Sequence, residues 1–278
     1  MIPTPVSAQK SLGWYAIGPI ISVARQWALY RRMVVRDLSL RYRGSVLGTV
    51  WSLLNPLFLL VIFSFVFGVV LNARWGVMPG SNFPLILFAG LVPFIFLSES
   101  ITRAPTLILE NSNYVKKVVF PLELLPFVVI GSAVVNLGIA LLVLLLGQLW
   151  VMGGITHNWF FAPLVIAPLV LLAAGIVMFM SSLGVFIRDL AQTTSVLTMF
   201  LMYMSPILFP ISMVPPAYRP LLSLNPLTIP VTQLRQVTLG GQPPDWVQLG
   251  IYYLLAYIVL IGGFWWFWRT KKGFADVI

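Results

Sequence analysis

Long apolar runs separated by short polar breaks dominate this sequence. Six of the runs reach about twenty residues, the length that an α-helix needs to cross the hydrocarbon core of a bilayer. Runs this continuous indicate helices, because the strands of a membrane barrel alternate apolar and polar positions over about ten residues. The predicted spans cover residues 46–71, 83–107, 125–150, 159–187, 190–211 and 247–268.

A basic amphipathic stretch precedes the first predicted span. On a helix covering residues 23–45, aromatic and aliphatic side chains share one face and arginines occupy the other. This pattern is typical of a helix in the membrane interface, whose arginines meet anionic headgroups or a cytosolic partner. The apolar face comprises Trp27, Tyr30, Val34 and Leu38.

The connections between spans differ in character. Residues 110–123 are rich in lysine and asparagine, which favours a short surface helix that contacts another subunit; an ordinary solvated loop is the alternative.

Residues 212–246 are the longest connection and are largely apolar. Two short helices are predicted there, over residues 216–224 and 226–239. Because a ten-residue helix is only about 15 Å long, these should be re-entrant or interfacial, forming either a lid over a pore exit or a packed cap.

Composition agrees with a membrane protein. Residues are 59% hydrophobic and 9% charged over 278 positions, too few charges to cover a soluble domain. The predicted fold class is all-α integral membrane, with six transmembrane helices, an N-terminal interface helix and two re-entrant outer helices. The predicted domains are an N-terminal extension over residues 1–22, the interface helix over 23–45 and the six-span domain over 46–278.

The distribution of basic residues predicts the orientation of the spans. The net charge is +10, and the seventeen Lys and Arg residues lie beside apolar runs. With six spans, fourteen fall on the side of the N-terminus and only Arg74, Arg219 and Arg235 on the other. The positive-inside rule therefore predicts that both termini are cytoplasmic, and it explains the basic charge without a nucleic-acid partner. Residues 1–10 lack the basic start and apolar core of a signal peptide, so an uncleaved N-terminus is expected.

Motifs for catalysis and nucleotide binding are absent from the sequence. There is no GxxxxGK[ST] phosphate loop, no GxSxG or HExxH motif and no cysteine, and His157 is the only histidine. A membrane enzyme acting on lipid-linked sugars is an alternative that these absences disfavour. The chain is expected to hold no metal or cofactor, and any energy from ATP must come through another subunit.

Several polar residues within or between the apolar runs are candidates for function. Glu99 lies four residues before Arg103, which predicts an ion pair on one helical face. An intramembrane carboxylate is alternatively a proton site, so an ion-coupled transporter using Glu99 or Asp189 is a second hypothesis. Arg188 and Asp189 alone separate two spans and predict a very tight cytoplasmic turn.

An aromatic stripe with one amide runs along the first span. Such a stripe serves helix packing or lipid contact, or it forms the wall of a glycan channel, because sugars stack on aromatic rings and amides bind hydroxyls. The stripe includes Trp51, Asn55, Phe58, Ile62 and Phe65.

Four motifs in this order resemble those of the membrane subunits of ABC-2-type polysaccharide exporters, the group of O-antigen, capsule and teichoic-acid permeases. They are RDLSLRYRGSVLGTVWSLLNPL, ENSNYVKKVVFPLELLP, IRDLAQ and SMVPPAYRPLLSLNPLTIPVTQLRQ, and they extend from residue 36 to residue 236. The resemblance implies a homodimer in the bacterial inner membrane that exports a lipid-linked glycan. It also implies two copies of a separate ATPase subunit, which carry the ATP and Mg. Export of a lipid or drug by the same kind of machine is an alternative.

The resemblance also implies roles for individual residues. Residues 111–121 would be the coupling helix that contacts the ATPase, flanked by the basic end of the interface helix. The implied coupling residues are Arg36, Asp37, Arg41, Arg43, Asn113, Tyr114, Lys116 and Lys117. Candidate channel-lining residues are Trp51, Asn55, Phe58, Phe65 and Tyr203, and the outer gate would include Pro216, Asn225, Pro226 and Arg235.

Overall fold

The structure is a computed structural model that describes residues 12–41, 43–70, 83–116 and 120–278. Every regular element in these ranges is helical, which confirms the predicted all-α class for this part of the chain. The α-helices are α1 Leu12–Arg25, α2 Trp27–Arg41, α3 Trp51–Phe63, α4 Phe83–Arg103, α5 Leu107–Glu110, α6 Ser112–Val115, α7 Leu124–Met152, α8 Ala162–Phe186, α9 Leu190–Tyr203, α10 Arg219–Ser223, α11 Thr228–Thr238, α12 Trp246–Thr270 and α13 Phe274–Val277.

Four helical stretches among the described residues are long and apolar enough to cross a membrane. They match four of the six predicted spans and identify the chain as a membrane protein. Their bounds are Phe83–Arg103, Leu124–Met152, His157–Phe186 and Trp246–Val277.

The fifth predicted span is shorter than expected, and the first is not α-helical throughout. Helix α3 changes to a π-helix over Ser64–Val70. Helix α9 has 14 residues. Its length is therefore about 21 Å, against about 30 Å for a bilayer core. Turns replace the helix after Tyr203, where Pro206 and Pro210 supply no backbone N–H.

The N-terminal region contains two helices where one was predicted. Helix α1 ends at Arg25 and α2 begins at Trp27, so the break falls inside the predicted range 23–45. Most of α1 lies in the predicted extension, of which residues 1–11 are outside the described ranges. The ring centroids of Trp14 and Trp268 are 4.7 Å apart, and this contact packs α1 against α12.

Glycines allow a close crossing of α8 and α12 in the core. A Cβ atom on Gly175 would lie 2.6 Å from the carbonyl carbon of Val259, and one on Gly263 would overlap the carbonyl oxygen of Gly175. Small residues at such crossings let two backbones touch, which is how membrane helices gain packing contacts.

Helix α4 lies at the centre of the described structure. It packs against α3, α7, α8, α9 and α11, and its side chains are buried along most of its length. Its continuous apolar sequence has no polar face until Ser98, in agreement with contacts on all sides.

Candidate functional site

Helix α2 lies against α7 at a glycine. A Cβ atom on Gly131 would overlap the hydroxyl oxygen of Tyr30 and lie 2.8 Å from Cγ2 of Val34. Met33 and Val34 are buried in this contact. Because Asp37 follows Val34 by three residues and Arg41 by seven, both side chains continue the buried face of α2 toward α4.

Two ion pairs join α2 to the C-terminal end of α4. Arg103 Nη2 lies 2.6 Å from Asp37 Oδ1, and Arg41 Nη2 lies 2.5 Å from Glu99 Oε1. The two helices are antiparallel here, because the earlier residue of α2 pairs with the later residue of α4. We call Asp37, Arg41, Glu99, Arg103 and Asn136 the charge cluster.

The predicted pair between Glu99 and Arg103 is thus replaced by pairs between helices. Glu99 and Arg103 do share one face of α4, as their spacing predicts, but that face meets the charged face of α2. Pairing across the contact joins the two helices, whereas pairs within each helix, Glu99 with Arg103 and Asp37 with Arg41, would leave α2 and α4 without an ion pair between them.

Polar residues of α7 complete the charge cluster. Asn136 Nδ2 donates to both carboxylate oxygens of Glu99, at 3.2 Å each. Sequence reasoning did not select Asn136 or Ser132, although two polar residues four apart inside a long apolar run are a detectable signal.

The pKa of Asp37 reflects these neighbours. Burial alone would raise it, but the hydrogen bonds from Arg103 and Ser132 and the charges of Arg103 and Arg41 outweigh burial and hold the pKa below its usual value. Asp37 is therefore a carboxylate at neutral pH.

The predicted coupling segment is attached to α2. The short helix α6 lies within the predicted coupling helix, and α5 ends at Glu110, just before it. Arg36 donates a hydrogen bond to the Tyr114 hydroxyl at 2.5 Å and lies over its ring, which stacks on Phe120 with centroids 4.4 Å apart. Arg36 and Tyr114 thus contact each other, and this contact fixes α6 relative to α2.

Asp37 and Arg41, which were also predicted as coupling residues, belong to the charge cluster, and the remaining ones lie at the surface or outside the described ranges. Arg43, Asn113 and Lys116 are exposed, whereas Lys117 falls outside the described residues. The far end of the segment is held by Glu123, which pairs with Lys271 at 3.4 Å.

The predicted turn residues Arg188 and Asp189 are exposed in the short connection between α8 and α9. Three residues, 187–189, separate the two helices. The connection is as tight as the spacing of the two apolar runs predicts.

A buried arginine connects α11 to the N-terminal half of α4. Arg235 is 5% exposed. Its guanidinium donates to the carbonyl oxygens of Ile86 at 2.8 Å, Pro206 at 2.5 Å and Ile207 at 2.7 Å. A Cβ atom on Gly90 would overlap Nη2 of Arg235, so only glycine leaves room for the guanidinium at this turn of α4. We call this the Arg235 contact.

Asn225 and Pro226 attach the turn between α10 and α11 to neighbouring helices. Asn225 is buried and donates from Nδ2 to the Leu201 carbonyl of α9 at 2.9 Å. The Pro226 carbonyl accepts from the Tyr252 hydroxyl of α12 at 2.8 Å. Pro216, the remaining predicted gate residue, is exposed. The segment is therefore anchored at its middle and at Arg235.

The predicted channel-lining residues lie on two helices that both pack against α4. Phe58 on α3 is 49% exposed, Phe65 on the π-helix that follows α3 is 60% exposed, and Tyr203 on α9 is 57% exposed. Asn55 is also exposed, and Trp51 is half-buried. In the isolated chain these side chains face outward, available to lipid or to another subunit.

Comparison with known proteins agrees with the resemblance that the motifs indicate. The family described as "ABC-2 type transporter" matches residues 28–239. An O-antigen export system permease protein RfbA of Klebsiella pneumoniae is 29% identical over 248 residues, which cover 87% of this chain and 92% of that protein. RfbA of Myxococcus xanthus is 29% identical over 233 residues, covering 81% and 87%. The polysialic acid transport protein KpsM of Escherichia coli is 26% identical over 238 residues, covering 83% and 89%.

Proposed function

This chain belongs to the ABC-2 type transporter family, and from that premise we propose that it is the permease subunit of an ATP-driven exporter of a lipid-linked polysaccharide. The observation that carries the substrate class is the similarity, over more than four-fifths of the chain, to permeases named for O-antigen export and polysialic acid transport. The glycan would move from the cytoplasm across the bacterial inner membrane.

Hydrolysis of ATP is assigned to a separate subunit. The sequence has no phosphate loop, so ATP and Mg would be held by two ATPase copies that dock on a dimer of this chain. The exposed side chains of Arg43, Asn113 and Lys116 offer a basic and polar surface for docking. The bond between Arg36 and Tyr114 would hold that surface in a fixed position on α2.

The channel is assigned to the exposed faces of α3 and α9. In a dimer these faces would oppose their counterparts, and Phe58, Phe65 and Tyr203 would offer aromatic surfaces to sugar rings. Helices α3 and α9 would also complete six crossings, with both termini cytoplasmic, as the distribution of basic residues supports.

Deletion of the gene tests the proposed function. The deletion strain is expected to accumulate a lipid-linked glycan inside the cell, and the wild-type gene should restore export. If accumulation is absent and the purified chain forms no stable complex with a co-expressed ATPase, the proposal fails. Export of a lipid or drug would instead leave the glycan unchanged while transport still requires ATP.

The coupling surface has its own test. Lys116→Glu should leave the protein folded but uncouple ATP hydrolysis from export, because it reverses a charge on the docking surface. Lys272→Glu is the matched control, since Lys272 is exposed beyond α12 and outside the coupling segment. Equal export by the two variants would argue against the assignment.

A further inference from the structure

Helix α4 is the one described element that joins both regions above. The charge cluster lies at its C-terminal end, where Glu99 and Arg103 pair with α2. The Arg235 contact lies in its N-terminal half, at Ile86 and Gly90. From Gly90 to Glu99 the helix rises about 14 Å, so the two regions are far apart yet lie on one continuous helix.

We propose that α4 mechanically couples the interface helix α2 to the outer segment that contains α11, with the charge cluster and the Arg235 contact as its two points of attachment. This inference rests on the proposed function, because it gives α4 a part in the transport cycle. Its residues are positioning residues: they touch neither ATP nor glycan in the proposal, and they act by fixing one helix relative to another.

The attachment to α2 joins that helix to the C-terminal end of α4. Two ion pairs tie the end of α4 to α2, and the Asn136 bonds tie Glu99 to α7, so sliding or rotation of α2 displaces the end of α4 or breaks an ion pair. Arg36 links the same helix α2 to Tyr114 of the coupling segment. A movement of the coupling segment is thereby passed to α2 and then to α4.

The attachment to α11 is closely packed. The guanidinium of Arg235 lies against the backbone of α4 at Gly90 and bonds to a carbonyl of α4 and to two carbonyls that follow α9. A shift or rotation of α4 would press on the guanidinium or break these bonds. Buried contacts of this kind are bistable and do not deform gradually, which is how small displacements spread through packed helices.

A buried reporter on α11 tests the coupling without any transport measurement. The chain has no cysteine, so a single introduced thiol reports one site. Val237 is 0% exposed and lies two residues beyond Arg235, whereas Leu224 is 80% exposed. The experiment measures the rate of maleimide labelling of Val237→Cys and, as the control for reagent access, of Leu224→Cys, in protein purified into lipid nanodiscs.

Loss of a charge at the far end of α4 should change the rate at the reporter. Glu99→Gln is expected to raise the labelling rate of Val237→Cys by about threefold or more and to leave that of Leu224→Cys unchanged, a size typical of coupling through packed helices. The neutralising control is Asp276→Asn, at an exposed carboxylate of α13. It should change neither rate.

A charge swap distinguishes coupling from general loosening. Asp37→Arg and Arg103→Asp should each raise the rate at Val237→Cys, and the double variant should restore the wild-type rate because the pair is rebuilt with reversed polarity. If the single variants do not fold, Glu99→Gln and Arg103→Lys provide the milder perturbation.

An unchanged or lowered rate at Val237→Cys in folded Glu99→Gln protein overturns the proposal, and would mean that bending at Pro93, between the two attachments, absorbs the displacement. The same holds if Asp276→Asn raises the rate equally. A failure of glycan export in the wild-type protein would defeat the proposed function but not this result, because labelling requires no substrate.

Discussion

The charge cluster and the Arg235 contact hold the same helix by different chemistry. In the cluster, arginines meet carboxylates, and the four paired side chains are between 18% and 31% exposed. At the other contact, one arginine that is 5% exposed meets backbone carbonyls. Carboxylates can be exchanged or titrated, whereas carbonyl oxygens are set by the path of the chain. The ion pairs of the cluster can therefore be exchanged or lost on titration, whereas the hydrogen bonds of Arg235 change only when the backbone moves.

The largest effect is expected at Arg235. Arg235→Lys should lower the free energy of unfolding by about 2–4 kcal/mol, because one ammonium cannot reach three carbonyls that a guanidinium fork reaches together. Thermal unfolding in detergent measures the loss. Arg219→Lys, at an exposed arginine of α10, is the conservative control and should change stability by less than about 1 kcal/mol. Similar losses in the two variants would contradict the importance assigned to the three carbonyl bonds of Arg235.

A smaller effect is expected where α2 meets α7 beside the charge cluster. Gly131→Ala should cost about 1–3 kcal/mol, because the added methyl group displaces Tyr30 and Val34 and lifts α2 away from α7. Gly138→Ala is the matched control on the same helix, since nothing lies within 4 Å of its added Cβ. Comparison of the two unfolding temperatures isolates the contact from the general gain of replacing glycine in a helix.

The smallest effect is the pH dependence of the cluster. Since the pKa of Asp37 is lower in the folded protein, its stabilising contribution is complete above the unfolded value of about 4 and is lost as pH falls through the folded pKa. Stability should thus be insensitive to Asp37 between about pH 5 and 8 and should fall in acid.

Asp37→Asn separates this contribution from the other carboxylates. The variant should lose about 1 kcal/mol at neutral pH and show a shallower acid decline. Arg235→Lys should keep the acid decline of the wild type, because its carbonyl partners do not titrate in this range. Unfolding curves at a series of pH values decide the point, and an acid decline in Asp37→Asn as steep as in the wild type would contradict the assignment.

Some features of the site were predicted correctly from the local sequence. The spacing of Glu99 and Arg103 placed both on one face of a helix, and the apolar connection after α9 was predicted to contain two short helices broken at Asn225 and Pro226. The partners of those residues were not predicted. A spacing of four describes neighbours within one helix, but whether a charge pairs within its helix or across to another depends on which helix packs there.

The class of the protein, its four longest apolar helices and its membership of the transporter family follow from the sequence alone, because these depend on hydrophobic length and on motifs contiguous along the chain. The pairing of Asp37 and Arg41 with α4 and the packing of the Arg235 guanidinium against Gly90 depend instead on how the helices pack in three dimensions. Each of those contacts joins residues more than fifty positions apart. They form where a glycine or an opposite charge on a neighbouring helix faces the residue. The periodicity within a single helix does not encode which neighbour that is.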